Sequence, residues 1–506
     1  MSAFIAIMKL RDLLLAASLT DFFTSATGNQ FNHEVGHINC DSRSARADSI
    51  FVCIKGVVTD GHLYARSAYD RGCRVFVAEL PLCLPADAVV LLTSSPRKAL
   101  ATLSDRLYGS PSRRLKVIGI TGTKGKTTTA LMIKEILCKC GIPAGYIGSN
   151  GIEYGVFRHS TINTTPESCD LQRIFADMLR AGIKYVALEV SSQALFLDRV
   201  REIEFDTCVF TNLSPDHIGG FEHPDFDHYK ACKASLFSEY KLRRAVVSAD
   251  DPHTPDMISG CTAESIIRFG TNESAEFRAG YITPIRSLNS LGVRYDYYHG
   301  DKKLSSSLNL PGNFNVQNAL AAAAVCSDII GDDSRVLEIL SGVTISGRFE
   351  PVNALPYAAV IIDYAHNGLS MRSVLKTLRS YNPNRLITLF GSVGGRTEMR
   401  RAELGAAASE LSDFCILTAD NPDNENPMMV IRDIAAAFVP GGCDYIAIPD
   451  RREAIRYAMN MLREGDILLL AGKGHENYQL IKGVKTYFCE REIVLEAAAE
   501  IRAAIV

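Results

Sequence analysis

A chain of 506 residues exceeds what one hydrophobic core can organise, and about three domains are expected of it. Apolar residues make up 47% and charged residues 22%, an ordinary globular composition; the formal charge of −3, without a long run of one sign, excludes the basic stripe that nucleic-acid binding requires. Residues 4–17 are apolar but broken by Lys9, Arg11 and Asp12, and no cleavage-like site or span-length apolar run follows. No export, no membrane contact and a cytoplasmic location are therefore expected. The fourteen cysteines lack redox or zinc spacing and read as free thiols.

In chain order, residues 1–112 alternate short apolar runs at 49–54, 74–78 and 88–92 with helical stretches, an α/β pattern. A polar, proline-containing link at 109–114 precedes the strongest strand–loop–helix signal, which opens a second region, 113–346. Further β-like runs at 185–190, 207–211 and 245–248 alternate there with helices, which favours a largely parallel sheet covered on both faces. The pattern restarts near Arg348, with runs at 358–363, 386–390, 414–418 and 467–471 predicting a third α/β domain over 347–506.

Residues 115–120 predict an apolar strand, followed by TGTKGKTTT (121–129) and a helix over 130–140. Gly122 and Gly125 let the backbone turn its N–H groups inward around a phosphate, and the helix N-terminus adds a favourable dipole. Lys126 is placed to reach β- and γ-phosphates and Thr127 to ligate magnesium, with Thr123, Lys124 and Thr128 completing the loop. The first glycine of the generic pattern is replaced by Ile120, so the loop is a shortened variant. Glu189 ends a buried-looking strand, where open α/β sheets bind ligands, and offers the hard oxygen that Mg²⁺ prefers. His217 lies just past another strand. The segment 228–233 reads as an ordinary helix with solvated lysines.

Taken together, TGTKGKTTT (121–129), NTTPES (163–168), EVSSQAL (189–195), TNLSPDHI (211–218), YKACKASLF (229–237), LPGNFNVQNALAA (310–322), SGRFE (346–350), DYAHN (363–367), TADNP (418–422) and AGKGHE (471–476) resemble the Mur ligases, in the family's order and over nearly the whole chain. DSR at 41–43 and DGH at 60–62 resemble the uridine-binding domain of the members that add the third stem-peptide residue. The resemblance implies an α/β fold of three domains: a UDP-binding one, a central P-loop ATPase with a mostly parallel sheet, and a Rossmann-like C-terminal domain that admits the amino acid. It implies a monomer that uses ATP and Mg²⁺ to join a free amino acid to a UDP-N-acetylmuramoyl dipeptide through an acyl phosphate.

By position, the resemblance gives Thr127 and Glu189 one Mg²⁺, and His217 and Lys233 a second, with Lys233 carbamylated into an anionic oxygen ligand. Lys126 joins these as a catalytic residue. Asn163, Thr164, Thr165, Ser191 and Arg199 match muramoyl-peptide contacts and Ser42 a uridine contact. Asn318, Arg348, Asp363 and His366 match neighbours of ATP; Arg396, Asp420, Asn421, Asp423, Gly472 and Glu476 match the amino-acid pocket. Four departures stand out. Lys124 replaces a common Asn, Leu197 replaces a Gln, and 393–397 keeps Arg396 but loses two acids. Asp423 stands where diaminopimelate-adding members carry Arg. The reversed charge predicts L-lysine or another basic amino acid over meso-diaminopimelate. A folylpolyglutamate synthetase-like ligase is the alternative of similar fold, and a nucleotide-switched binding protein the alternative of a different class.

Overall fold

The computed structural model describes residues 7–18, 31–56, 59–216, 218–219, 222–395 and 398–505. They form two compact units, one of residues 1–277 with 321–331 and one of 278–320 with 332–506.

The first unit opens on a parallel four-stranded sheet ordered His37–Asn39, Ser49–Val52, Val75–Ala78, Val89–Leu92. Alternate residues of its central strands face different cores. Ile50, Val52, Val75 and Val77 pack with Leu10, Leu13, Leu100 and Leu103, while Phe51, Cys53, Phe76 and Ala78 pack with Ala65 and Ala68. Burial on both faces explains why these strands read as continuous apolar runs.

The larger sheet of this unit runs Phe157–His159, Gly151–Tyr154, Ala144–Gly148, Tyr185–Glu189, Lys116–Thr121, Phe205–Phe210, Arg244–Ser248, Ser265–Gly270. From Ala144–Gly148 onward the neighbours are parallel; the first two strands form antiparallel edge pairs. Lys116–Thr121 lies between Tyr185–Glu189 and Phe205–Phe210, so the loops leaving all three strands emerge side by side at one sheet edge. The helix after the first of them, Lys126–Lys139, starts four residues earlier than its apolar run suggests. Gly125, at φ 87°, turns the chain directly into it, and the β-branched Thr127, Thr128 and Thr129 form its first turn.

At the opposite end of this sheet Asp206 receives Arg243 at 2.8 Å, Lys116 at 2.9 Å and Thr207 at 3.0 Å. Burial alone would raise its pKa, but these bonds outweigh it and bring the carboxyl down to about 2. A folded-state pKa below the unfolded value of about 3.9 gives stability that is present above that value and lost as pH falls towards 2. Asp206→Asn is expected to cost about 1–2 kcal/mol at pH 7, discounted because Lys116 and Arg243 are part-exposed. It should also flatten the acid limb of stability below about pH 4. Urea midpoints at a series of pH values check this; a variant curve parallel to wild type throughout would refute it.

In the second unit, Leu291–His299 and Lys302–Leu308 pair antiparallel, with Phe277–Arg286 beside the former. These strands were not expected from sequence: KKLSSSL and FRAGYITPIR are largely half-exposed and carry no continuous apolar run. A six-stranded sheet follows, ordered Glu350–Val352, Ala359–Asp363, Ile467–Ala471, Leu386–Phe390, Phe414–Leu417, Asp444–Ala447, parallel except for its first pair. Its core joins Val360, Ile362, Leu389, Leu468 and Leu470 to Ile455, Met459, Ile493 and Val494 of the helices Arg451–Met461 and Glu490–Ile505. Among the described residues no helix is long and apolar enough to cross a membrane, and all fourteen cysteines are free thiols.

Candidate active site

The phosphate loop is pinned by the segment that follows the neighbouring strand Phe205–Phe210. Thr123 N–H donates to Asn212 O at 2.8 Å, Asn212 Oδ1 accepts from Lys124 N–H at 3.0 Å, and Thr211 Oγ1 donates to Lys124 O at 2.7 Å. Ser214 N–H donates to Thr123 Oγ1 at 3.0 Å. The lysine at 124 reaches Asp216 at 3.1 Å, which gives that departure from the family pattern an ion-pair role. A Cβ at Gly122, φ 143°, would meet Thr211 Oγ1 and the backbone of Asn212, so only glycine fits there. Lys126 folds over the loop, donating to Gly122 O at 2.9 Å and Thr123 O at 3.0 Å. Thr127 and Thr128 are buried in the first helical turn.

Glu189 is fully buried and lies opposite Ile120 on the adjacent strand, at the edge from which the phosphate loop departs. Tyr146 donates to its Oε1 at 2.5 Å, as does Ser149 N–H at 3.0 Å, and Ser149 Oγ donates to Oε2 at 3.3 Å. Lys233, on the helix Phe226–Ser238, is not the solvated lysine that the sequence suggested: it is 2% exposed. Its Nζ donates to Gly122 O at 3.0 Å and sits 4.6 Å from the Tyr229 ring centre. Burial first, and then the charge of Lys126, push its pKa well below that of an ordinary lysine. His217 lies outside the described residues.

The expected peptide contacts gather around the same strand end. Thr165 Oγ1 donates to Glu189 O at 2.8 Å and accepts from Ser191 N–H at 3.1 Å, while Ser149 Oγ and Thr164 Oγ1 are 3.0 Å apart. Arg199 donates to Thr165 O at 3.1 Å and pairs with Glu167 at 2.9 Å. Asn163 is exposed. Ser42 instead follows the strand His37–Asn39 of the four-stranded sheet, buried in the short turn Ser42–Ser44 that Asp41 caps.

In the second unit, Asp363 ends its strand buried, accepting from Phe349 N–H at 2.8 Å and Ala365 N–H at 2.9 Å; burial pushes its carboxyl pKa up. Arg348 lies 5.0 Å from the Tyr364 ring centre, its Nε buried without a hydrogen-bond partner among the described residues. The rings of His366 and His475 lie 4.7 and 4.9 Å from Tyr364. Asn318 is buried and donates to Asn315 Oδ1 at 3.2 Å.

The amino-acid residues expected at the ends of Phe414–Leu417 and Ile467–Ala471 come together around a cation that the motif reading left without a role. Lys473, fully buried, donates to Asn421 Oδ1 at 2.9 Å and to Asp420 Oδ1 and Glu476 Oε2 at 3.2 Å each. Asn421 Nδ2 also donates to Glu476, at 2.9 Å. A Cβ at Gly472, φ 110°, would crowd Asp420. Asp423, at φ 50°, accepts from Gly483 N–H at 2.8 Å and from Asn424 at 3.2 Å, and so caps the hairpin Tyr478–Ile481/Val484–Tyr487. Arg396 lies outside the described residues.

Family models match three successive stretches: the Mur ligase family catalytic domain over 34–108, the Mur ligase middle domain over 120–326, and the Mur ligase glutamate ligase domain over 347–474. The chain is 40% identical over 471 residues, 93% of its own length and 96% of the relative's, to a UDP-N-acetylmuramoyl-L-alanyl-D-glutamate–2,6-diaminopimelate ligase of Caldanaerobacter subterraneus subsp. tengcongensis. The chain belongs to the Mur ligase family. This Mur ligase is also 37% identical to the like-named enzyme of Geobacillus thermodenitrificans, over 98% of its length and 100% of the relative's. A solved structure of a UDP-N-acetylmuramoyl-L-alanyl-D-glutamate–2,6-diaminopimelate ligase matches 98% of it at TM-score 0.67 and 25% identity, covering 99% of that chain. The protein is an ATP-dependent ligase with the mixed α/β architecture of its family.

Several groups that hold this Mur ligase's site together were missed from sequence. Tyr146 and Ser149 hold Glu189, Asn212 pins the phosphate loop, and Glu167 holds Arg199. Arg451, fully buried with Glu490 at 2.7 Å, donates to Ala419 O at 3.2 Å and Ala471 O at 2.8 Å. It thereby fixes the strand ends from which Asp420 and Gly472 depart. Only Lys473 carried a sequence signal, a lysine two residues past the apolar run 467–471, after Gly472.

Proposed function

We propose that this ligase attaches the third amino acid, L-lysine or another basic amino acid in the first reading, to UDP-N-acetylmuramoyl-L-alanyl-D-glutamate through an acyl phosphate. The observation that carries the reading is the turn Glu189–Ser191. It borders the phosphate loop through the pairing with Ile120 and holds the peptide-contact residue Thr165 through two hydrogen bonds. A nucleotide-switched binding protein has no use for a peptide pocket built onto the nucleotide loop. Residues 1–112 would hold the UDP moiety, 113–346 the ATP phosphates, and 347–506 the amino acid.

A dipeptide carboxylate oxygen attacks the γ-phosphorus of ATP and ADP leaves; the amine then attacks the acyl carbon, phosphate leaves, and the amine's proton is lost. Lys126 offsets charge on the transferring phosphoryl oxygens, and the loop N–H groups orient them. Arg199, held by Glu167, steers the carboxylate. Thr127 and the buried Glu189 supply hard oxygen donors that suit Mg²⁺, and His217 with Lys233 as carbamate would hold a second ion. When bound, Mg²⁺ neutralises phosphate charge. Asn318, Arg348, Asp363 and His366 would flank the nucleotide. A cytoplasmic monomer that acts on free small molecules fits this chemistry.

For the incoming residue, L-lysine is the first reading, because Asp423 is held in place by neutral donors and no ion pair offsets its charge among the described residues. A fixed anion attracts a side-chain ammonium and repels the second carboxylate of diaminopimelate. The names of the relatives favour meso-diaminopimelate as the second reading. Under the first, kcat/KM for L-lysine exceeds that for meso-diaminopimelate by at least about tenfold, and Asp423→Arg narrows the gap. The same assay with the wild-type enzyme preferring diaminopimelate assigns the second.

A further inference from the structure

The helix that carries Lys233 also contributes two members to a group of side chains that could hold a metal ion and that have no part in the ligase chemistry proposed for this chain. His228 and Cys232 lie four residues apart on the helix Phe226–Ser238 and so share a face. His223, buried, approaches from the loop before it, and the ligand atoms of the three side chains all lie within 4.8 Å of one another. We propose that His223, His228 and Cys232 bind a borderline-to-soft transition metal ion, with Zn²⁺ the best match.

Two imidazoles and a thiolate form a ligand set that suits Zn²⁺ and is foreign to Mg²⁺, which takes oxygen donors. With Zn–N of about 2.0–2.1 Å and Zn–S of about 2.3 Å, a tetrahedral centre needs separations of about 3.4 Å between nitrogens and about 3.6 Å from nitrogen to sulfur. His228 Nδ1 is 3.8 Å from Cys232 Sγ and 2.8 Å from His223 Nδ1. The first distance already fits. The second is a hydrogen bond between the rings, which the ion replaces as they part by about half an ångström.

The surroundings are those of a metal site. His223 Nε2 is 2.8 Å from Ser192 Oγ, the kind of outer partner that fixes the tautomer of a ligating imidazole. Phe196 stands edge-on to the His228 ring at 5.0 Å, and Tyr229 lies 5.3 Å from the His223 ring, giving the cluster an apolar wall. Three protein ligands leave a fourth position for water. The bound ion would tie the turn after the peptide-contact residue Ser191 to the helix that presents Lys233.

The test uses the full-length, reduced protein, freed of metal and then titrated with Co²⁺ in excess Mg²⁺, which occupies oxygen-donor sites. One Co²⁺ per chain is expected, with a thiolate-to-metal charge-transfer band that Zn²⁺ abolishes by displacement, and Zn²⁺ should raise Tm. Cys232→Ser should lose the band and His228→Gln should weaken Co²⁺ binding by more than about tenfold, circular dichroism confirming that both are folded. Should either variant fail to fold, Ser192→Ala, which removes only the outer partner, is expected to weaken binding about tenfold. No band in the wild type, the same band in Cys232→Ser, or unchanged affinity in Ser192→Ala would overturn the proposal.

Discussion

Lys126→Ala is expected to lower ATP-dependent amide formation by about 10²–10³-fold while leaving the fold intact. The lysine opens the helix Lys126–Lys139 directly after Gly125, and its ammonium lies against the carbonyls of Gly122 and Thr123. A charge held over the loop by backbone contacts needs no reorganisation when phosphate charge shifts in the transition state, which is where such a contact acts most strongly. Those two hydrogen bonds, made by a part-exposed charged donor, contribute no more than about 1.5–3 kcal/mol each to folding. The loop also keeps its anchors to Thr211, Asn212 and Ser214 in the variant. Initial rates at saturating Mg-ATP, read beside Tm, separate chemistry from stability. A variant that kept more than half the wild-type turnover would remove Lys126 from the mechanism.

What the sequence made legible follows from how each residue is buried. Lys116–Thr121 and Tyr185–Glu189 are covered on both faces, so they appear as apolar runs, and a carboxylate at the end of one is conspicuous. The strands of 277–308 escaped because half-exposed, serine- and lysine-bearing segments look like loops. Lys233 looked solvated within YKACKASLF, yet its spacing held the answer: Tyr229, Lys233, Leu236 and Phe237 are the buried positions of that helix. A lysine on the apolar stripe at 229, 233, 236 and 237 is the signal of a buried amine. Asp423 was legible as a charge but not as a hairpin cap, because its partner Gly483 is 60 residues away. Lys473 likewise meets Asp420 and Asn421 only after the strands have been laid in parallel.

Lys233→Ala is expected to reduce turnover by at least about a thousandfold and to recover part of it when formate or acetate is added. The argument starts from burial. An ammonium enclosed beside Lys126 is disfavoured, and the opposing pull of Asp216 and Cys232 does not compensate, so Lys233 is held towards its neutral amine. A neutral amine can attack the carbon of CO₂ through its lone pair; loss of one N–H proton then leaves a carbamate whose anionic oxygens suit Mg²⁺. The carbamate nitrogen keeps one hydrogen, enough to preserve the bond to Gly122 O. Deleting the side chain removes those oxygens and opens a small cavity, and a short-chain carboxylate can return an anionic donor to it. Rescue therefore distinguishes a lost ligand from a damaged fold, which carboxylates would not repair. Independently of activity, wild-type protein equilibrated with ¹³C-bicarbonate should show a carbamate resonance that Lys233→Ala lacks. Full activity in the alanine variant would remove Lys233 from the mechanism, and no such resonance in the wild type would mean that Lys233 acts as an amine rather than through CO₂.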